Sequence, residues 1–162
     1  MDQDFAGYAV TRYAQLLRVA RLILGRDAQH AEDLVQEALA RVYSKYQHTE
    51  VENLDGLVRR TMTNLAITRA RSESVRRRVL PRLYEPPPTE ALGSAEHDVM
   101  WAAIRKLPAR QRAVLVLRYF EDMEYADIAE LLSISPGTAR SQCLRARAAL
   151  SQSIPGDIEV HP

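Results

Sequence analysis

Arg140, Ser141, Leu144 and Arg145 stand within the stretch "ARSQCLRARA", at spacings that place them on one side of a helix. Guanidinium groups so placed can bond guanine edges, and a leucine can touch thymine methyl groups, which is the chemistry of a major-groove reader. Ala139, Cys143, Ala146 and Leu150 recur three or four apart on the opposite side and should pack inward. Ser135 precedes them as an N-cap and Pro136 as the first helical residue, where a missing amide proton costs nothing. The amides of Gly137 and Thr138 at that helix start could hold a phosphate. The preceding "ADIAELL" is acidic and apolar. Two short helices joined by a tight turn, the second basic, describe a helix-turn-helix. A solvated surface helix would account for the arginines but not for an exposed Leu144.

Two further polar clusters are placed to bind something. Asp33, Gln36 and Glu37 lie together, with Arg41 one turn beyond Glu37. Taken alone, that is a solvated face with a Glu37–Arg41 pair worth roughly a few tenths of a kcal/mol. The second cluster is a matter of charge distribution. Formal net charge is only +1, yet residues 59–82 hold eight arginines against Glu73 alone, while residues 1–58 hold nine acids against six bases. Segregated cations of this kind suit a polyanion. No Phe, Tyr or Trp occurs between Tyr46 and Tyr84, so bases cannot stack on an aromatic platform there. Capture of an extruded base in a polar pocket is the alternative, with the 47–53 loop as its wall.

Other chemistries find little support. His30, His48, His97 and His161 are scattered without ligand or triad spacing, and no glycine-rich phosphate loop occurs, so an enzyme is not expected. Cys143 is the only cysteine, which excludes an intramolecular disulfide and a cysteine zinc cluster; it reads as a small core residue. No cofactor and no metal are expected. The apolar run "AVLVL" is far too short to cross a membrane, and the N-terminal residues lack a secretory apolar core, so no membrane insertion and a cytoplasmic address are expected.

The elements that must position these clusters are helical. With 46% hydrophobic residues, six glycines and two phenylalanines, the composition favours an all-α fold. Val10, Tyr13, Leu17, Ala20 and Leu24 mark a first helix ended by Gly25, and Asp27 offers an N-cap for the next. The second carries Ala31, Leu34, Val35, Ala38, Leu39, Val42, Tyr43 and Tyr46 in unbroken three-and-four spacing. Leu54, Leu57, Val58, Met62 and Leu65 mark a third, running into the arginine-rich segment near Arg78. Residues 81–94 hold four of the eight prolines and predict an extended, semi-rigid linker. Two small helical domains follow from this: 1–80, and the helix-turn-helix domain 95–153, with a tail at 154–162.

The residues also carry a resemblance. "AEDLVQEALARVY" resembles the polymerase-binding helix of bacterial sigma factors, and "LPARQRAVLVLRYFEDMEYADIAELLSISPGTARSQCLRARAAL" resembles their promoter-reading C-terminal domain. Both motifs stand in the right order over residues 5–152, similar to the compact extracytoplasmic-function type. The resemblance implies that Asp33, Gln36 and Glu37, with Arg41 beside them, contact the clamp helices of core RNA polymerase. It implies that Arg60, Asn64, Thr68, Arg69 and Arg71 engage the minus-ten element of promoter DNA. It assigns the minus-thirty-five element to Arg140, Ser141, Leu144 and Arg145, with Gly137 and Thr138 at the phosphate, and it implies an anti-sigma factor as a further partner. Asp55-Gly56 departs from the aromatic-containing start common in the family, and glycine costs about 1 kcal/mol in a helix. The alternatives are a helix-turn-helix regulator under a helical sensor domain, which would need neither the Asp33–Glu37 face nor a second basic segment, and a protein-interaction module.

Overall fold

In the computed structural model, residues 2–48, 51–80 and 95–153 are described, and they form seven α-helices. The linker expected at 81–94 and the tail at 154–162 lie outside the described residues. Helix α1 (Asp2–Leu24), α2 (Ala31–Tyr46) and α3 (Leu54–Val79) pack on one another as an N-terminal half. Helices α4 (Ala95–Lys106), α5 (Ala109–Tyr119), α6 (Tyr125–Leu132) and α7 (Pro136–Ser153) form the C-terminal half, with α6 and α7 as the helix-turn-helix.

Local chemistry sets the helix ends. Asn53 caps α3, its side-chain oxygen accepting the Gly56 amide at 2.8 Å. A Cβ at Gly56 would come within 2.7 Å of that capping side chain, so the glycine admits the cap. Ser135 caps α7, its Oγ accepting the Thr138 amide at 3.0 Å. Helix α6 ends in a left-handed Ser133, with Ile134 N–H bonded to the Ala129 carbonyl at 2.9 Å, the closure that stops a helix within one residue.

Two expectations for the N-terminal half need correction. Val10 is 81% exposed, and the buried stripe of α1 is Phe5, Leu16, Val19, Ala20, Ile23 and Leu24. Nearly every position from 16 to 24 is apolar, so spacing alone leaves the phase open, and α1 must face α5 as well as α2 and α3. Asp27 does not cap α2. A 3-10 turn (Gly25–His30) intervenes, and the buried Asp27 carboxylate instead pairs with Arg77 near the end of α3. Burial pushes its pKa up, and Arg77 pulls it back.

The halves share one continuous core. Val114, Val116, Leu117, Ile128 and Ala129 of the C-terminal half lie in the same apolar cluster as Leu16, Ile23, Val58 and Met62. At the seam sits Arg112, a charged residue only 5% exposed. Its Nε donates to the Ile23 carbonyl at 2.7 Å and its NH2 group approaches the Leu24 carbonyl at 3.4 Å. Its NH1 group donates to Leu107 at 2.8 Å and Arg105 at 3.1 Å. Burial lowers its pKa to about 10, which leaves it a cation at neutral pH. Gly25 has φ +62°, and a Cβ there would stand 2.9 Å from the Arg112 Cζ.

Gly25→Ala is therefore expected to cost about 1–2 kcal/mol from the left-handed backbone alone, plus the collision with Arg112. Arg112→Met should cost about 2–4 kcal/mol through unpaired carbonyls. Urea denaturation of both single variants and the double variant checks this, and the two losses should sum to more than the double variant's. Full additivity would mean that Gly25 and Arg112 do not meet.

Candidate nucleic-acid interface

Helix α7 forms as its pattern requires. Ala139, Cys143 and Ala146 are fully buried and Leu150 nearly so, while Arg140, Ser141, Leu144 and Arg145 are exposed on the other side. Leu144 is 57% exposed, a large apolar side chain presented to solvent between two arginines. Gly137 and Thr138 are exposed at the helix start. The Thr138 amide is already taken by the Ser135 cap, so it is not available to a phosphate while that cap holds. The Ser141 hydroxyl donates to the Gly137 carbonyl at 2.8 Å and keeps its oxygen lone pairs to accept from a ligand. No ion pair to a described residue engages Arg140 or Arg145.

On α3, Arg60, Asn64, Thr68 and Arg71 line one exposed face, spaced by four, four and three. Thr68 Oγ1 donates to the Asn64 carbonyl at 2.9 Å. Arg69 is turned away from this face and pairs with Glu37 of α2. Arg60 is engaged by the C-terminal half. Its guanidinium donates to the Glu130 carbonyl at 2.8 Å and to Ser133 Oγ at 2.7 Å, at the end of α6. Negative carbonyl ends of a helix suit a cation.

On α2, Asp33 and Gln36 are exposed, and Glu37 is half-buried between Arg41 and Arg69. The Glu37–Arg41 pair expected from spacing is present; the Arg69 contact spans 32 positions and carried no local signal.

Several structuring residues escaped the sequence reading. Arg59 bridges Asp55 and Glu121, and Gln15 donates to the same Glu121 carboxylate at 3.0 Å. The Glu121 side chain is 2% exposed, so this is a buried ion pair across the two halves. Tyr125, the first residue of α6, faces the guanidinium of Arg140. Among the described residues, no helix is long and apolar enough to cross a membrane.

Comparison with known proteins matches both halves. Residues 9–76 match the family described as Sigma-70 region 2, and residues 97–150 the family described as Sigma-70, region 4. The chain is 33% identical to the RNA polymerase sigma-E factor of Streptomyces coelicolor, over 93% of this chain and 86% of that protein. It is 28% identical to the ECF RNA polymerase sigma factor SigW of Bacillus subtilis, over 94% and 90%. Among solved structures, the fold is similar to the sigma factor RpoE of Bartonella quintana in complex with the anti-sigma factor NepR. That match has a TM-score of 0.74 and 23% identity, and covers 93% of this chain and 96% of the other.

Glu37 now has a measurable place between two guanidinium groups. Glu37→Gln should lower stability by no more than about 1 kcal/mol, because the pairs are partly solvated. Glu37→Lys sets a third cation between Arg41 and Arg69 and should lower it further. Equal urea midpoints for the two variants would mean that Arg69 is not held at this position.

Proposed function

The chain belongs to the extracytoplasmic-function family of RNA polymerase sigma factors, and we propose how its residues divide the work of that function. A sigma factor binds core RNA polymerase and directs promoter recognition and transcription initiation; catalysis of RNA synthesis is the polymerase's. The site of action is the cytoplasm, where polymerase and promoter meet. The α2 face of Asp33, Gln36 and Glu37, with Arg41, docks on the polymerase. The α3 face of Arg60, Asn64, Thr68 and Arg71 engages the minus-ten element, and Arg69 joins it once Glu37 is taken by the polymerase. Arg140, Ser141, Leu144 and Arg145 read the minus-thirty-five element, with the Gly137 amide and the Thr138 side chain, whose own amide is held by Ser135, against its backbone. An anti-sigma factor is a further partner; the similar Bartonella sigma factor is held by one, and the likeness spans both halves of this chain.

One observation carries the assignment of the reading face. Arg140, Ser141, Leu144 and Arg145 are all exposed directly opposite a fully buried stripe, on a capped helix of a helix-turn-helix. Arg140→Ala or Arg145→Ala should cost about 1–3 kcal/mol of binding and relax preference at one base pair of the upstream element. Arg147, half-buried nearer the inner stripe, is the control, expected to change affinity without changing preference. Single-base promoter variants titrated at two salt concentrations check this. An even loss over all sequences for both variants would move the reading face elsewhere.

The packed arrangement cannot itself be the promoter-bound one. A folded chain of this length is about 40 Å across, whereas elements about 25 base pairs apart lie roughly 85 Å apart on duplex DNA. Separate halves, joined through fourteen linker residues that reach at most about 50 Å, span that distance. On this reading the halves part along the Arg112 and Arg59–Glu121 seam when polymerase and promoter bind. A short bismaleimide bridge between cysteines replacing Arg59 and Glu121 should abolish initiation, while the same two cysteines left unbridged should support it. Full initiation by the bridged chain would exclude opening.

A further inference from the structure

Tyr125 stands where the two helices of the helix-turn-helix meet. It is the first residue of α6, and its ring lies beside the reading helix α7. The guanidinium carbon of Arg140 is 5.4 Å from the ring centroid, within reach of the attraction between a cation and an aromatic face. The Tyr125 ring packs against the apolar core that includes Cys143, which is fully buried on the inner stripe of α7. Arg140 and Cys143 are one helical turn apart, so a ring seated against the core side of α7 also reaches the exposed Arg140. We propose that Tyr125 is a specificity-determining positioning residue, whose ring face holds the Arg140 guanidinium in orientation to read a base edge. This rests on the assignment of Arg140 to the promoter-reading face.

The chemistry of the two partners permits both contacts at once. An aromatic ring attracts the flat face of a guanidinium, whereas guanine is read by the in-plane N–H edge. Stacking on Tyr125 therefore consumes no donor needed at the DNA. It also limits the rotamers of a long side chain before binding, so less freedom is lost when the base is engaged. A second cation, Arg118, lies at 5.4 Å from the same ring, and its position has its own explanation. Arg118 donates to the Met123 carbonyl at 3.1 Å and pairs with Glu124 at 3.4 Å and Asp122 at 3.9 Å. Those carboxylates offset its charge, whereas Arg140 has no such partner among the described residues. Arg145 lies on the same exposed face without a ring contact among the described residues, and it is the internal comparison.

The test uses the full chain reconstituted with core RNA polymerase and a panel of single-base variants of the upstream element. Arg140→Ala identifies the base pair that Arg140 reads. Tyr125→Leu should reduce discrimination at that same base pair by about two- to fivefold, the size of an exposed cation–aromatic contact, and leave the base pair read by Arg145 unchanged. Tyr125→Phe keeps the ring and should keep the preference. In the Arg140→Ala background, Tyr125→Leu should add nothing at that position. Because loss of the ring could unfold α6, pentafluorophenylalanine at position 125 provides a second arm. It reverses the ring's charge distribution at nearly constant volume and should relax the same base pair as leucine does. An even loss across the panel for the leucine variant, or unchanged preference with the fluorinated ring, overturns the proposal. If Arg140→Ala itself relaxes no base pair, the promoter-reading assignment of Arg140 falls and takes this proposal with it. If Arg140→Ala relaxes one while both ring variants leave it intact, only the positioning role falls.

Discussion

A buried guanidinium sits where the two halves of this protein meet. Arg112 donates to carbonyls at the C-terminal end of α1 and to carbonyls where α4 ends, so one side chain caps two helix termini from opposite halves. Helix ends leave carbonyls unpaired and carry partial negative charge, and a cation with several donors in a fixed fork satisfies both needs. Taking that cation out of water is costly, and its lowered pKa records the cost. Four carbonyl acceptors and the nearby Asp27 carboxylate offset it. Gly25 completes the arrangement: its left-handed backbone ends α1 and its missing Cβ leaves room for Arg112.

The rest of the seam is built from the same kinds of contact with a smaller energetic return. Arg59 between Asp55 and the buried Glu121 is an ion pair of the kind whose desolvation can cancel its attraction. Its stronger effect is on geometry, because only one approach of α3 to the α5–α6 turn pairs the charges. Apolar contact supplies the adhesion, through Val114, Leu117 and Ile128 against Val58 and Met62. A seam with polar latches over an apolar interior can open at its latches cheaply, since those charges regain water. The uncovered apolar surface is then the expensive part, so opening is favoured only where another surface takes its place.

What could be read from sequence divides along these lines. Helix α7 was legible because its faces are chemically distinct and Ser135-Pro136 marks its start unambiguously. Helix α2 was legible for the same reason. The phase of α1 was not, because apolar residues surround it and three neighbours compete for it. Arg112 and Glu121 were not legible at all. A charged residue in sequence reads as exposed, and the partners that make these two buried lie 89 and 62 positions away. Arg69 shows the intermediate case, where composition predicted a cation on α3 but not that Glu37 would hold it.

Arg60 makes the two halves interdependent in a way that no single site would. In the packed arrangement it is bound by the end of α6 through Glu130 and Ser133, yet it belongs to the exposed α3 face with Asn64, Thr68 and Arg71. Both contacts use one amino group of Arg60, so a phosphate that takes that group must displace those acceptors, and such a phosphate binds the open arrangement better than the closed one. Any ligand with such a differential affinity shifts the balance toward opening by that amount and no more. Linkage makes the effect reciprocal: whatever first separates the halves raises the affinity of the α3 face for phosphate by the same factor. A ligand of α2 that draws Glu37 away from Arg69 acts in the same direction, since a second cation then becomes free on α3. In the packed arrangement two cations of the basic segment are thus held by the protein's own oxygens, Arg60 by a carbonyl and a hydroxyl and Arg69 by a carboxylate.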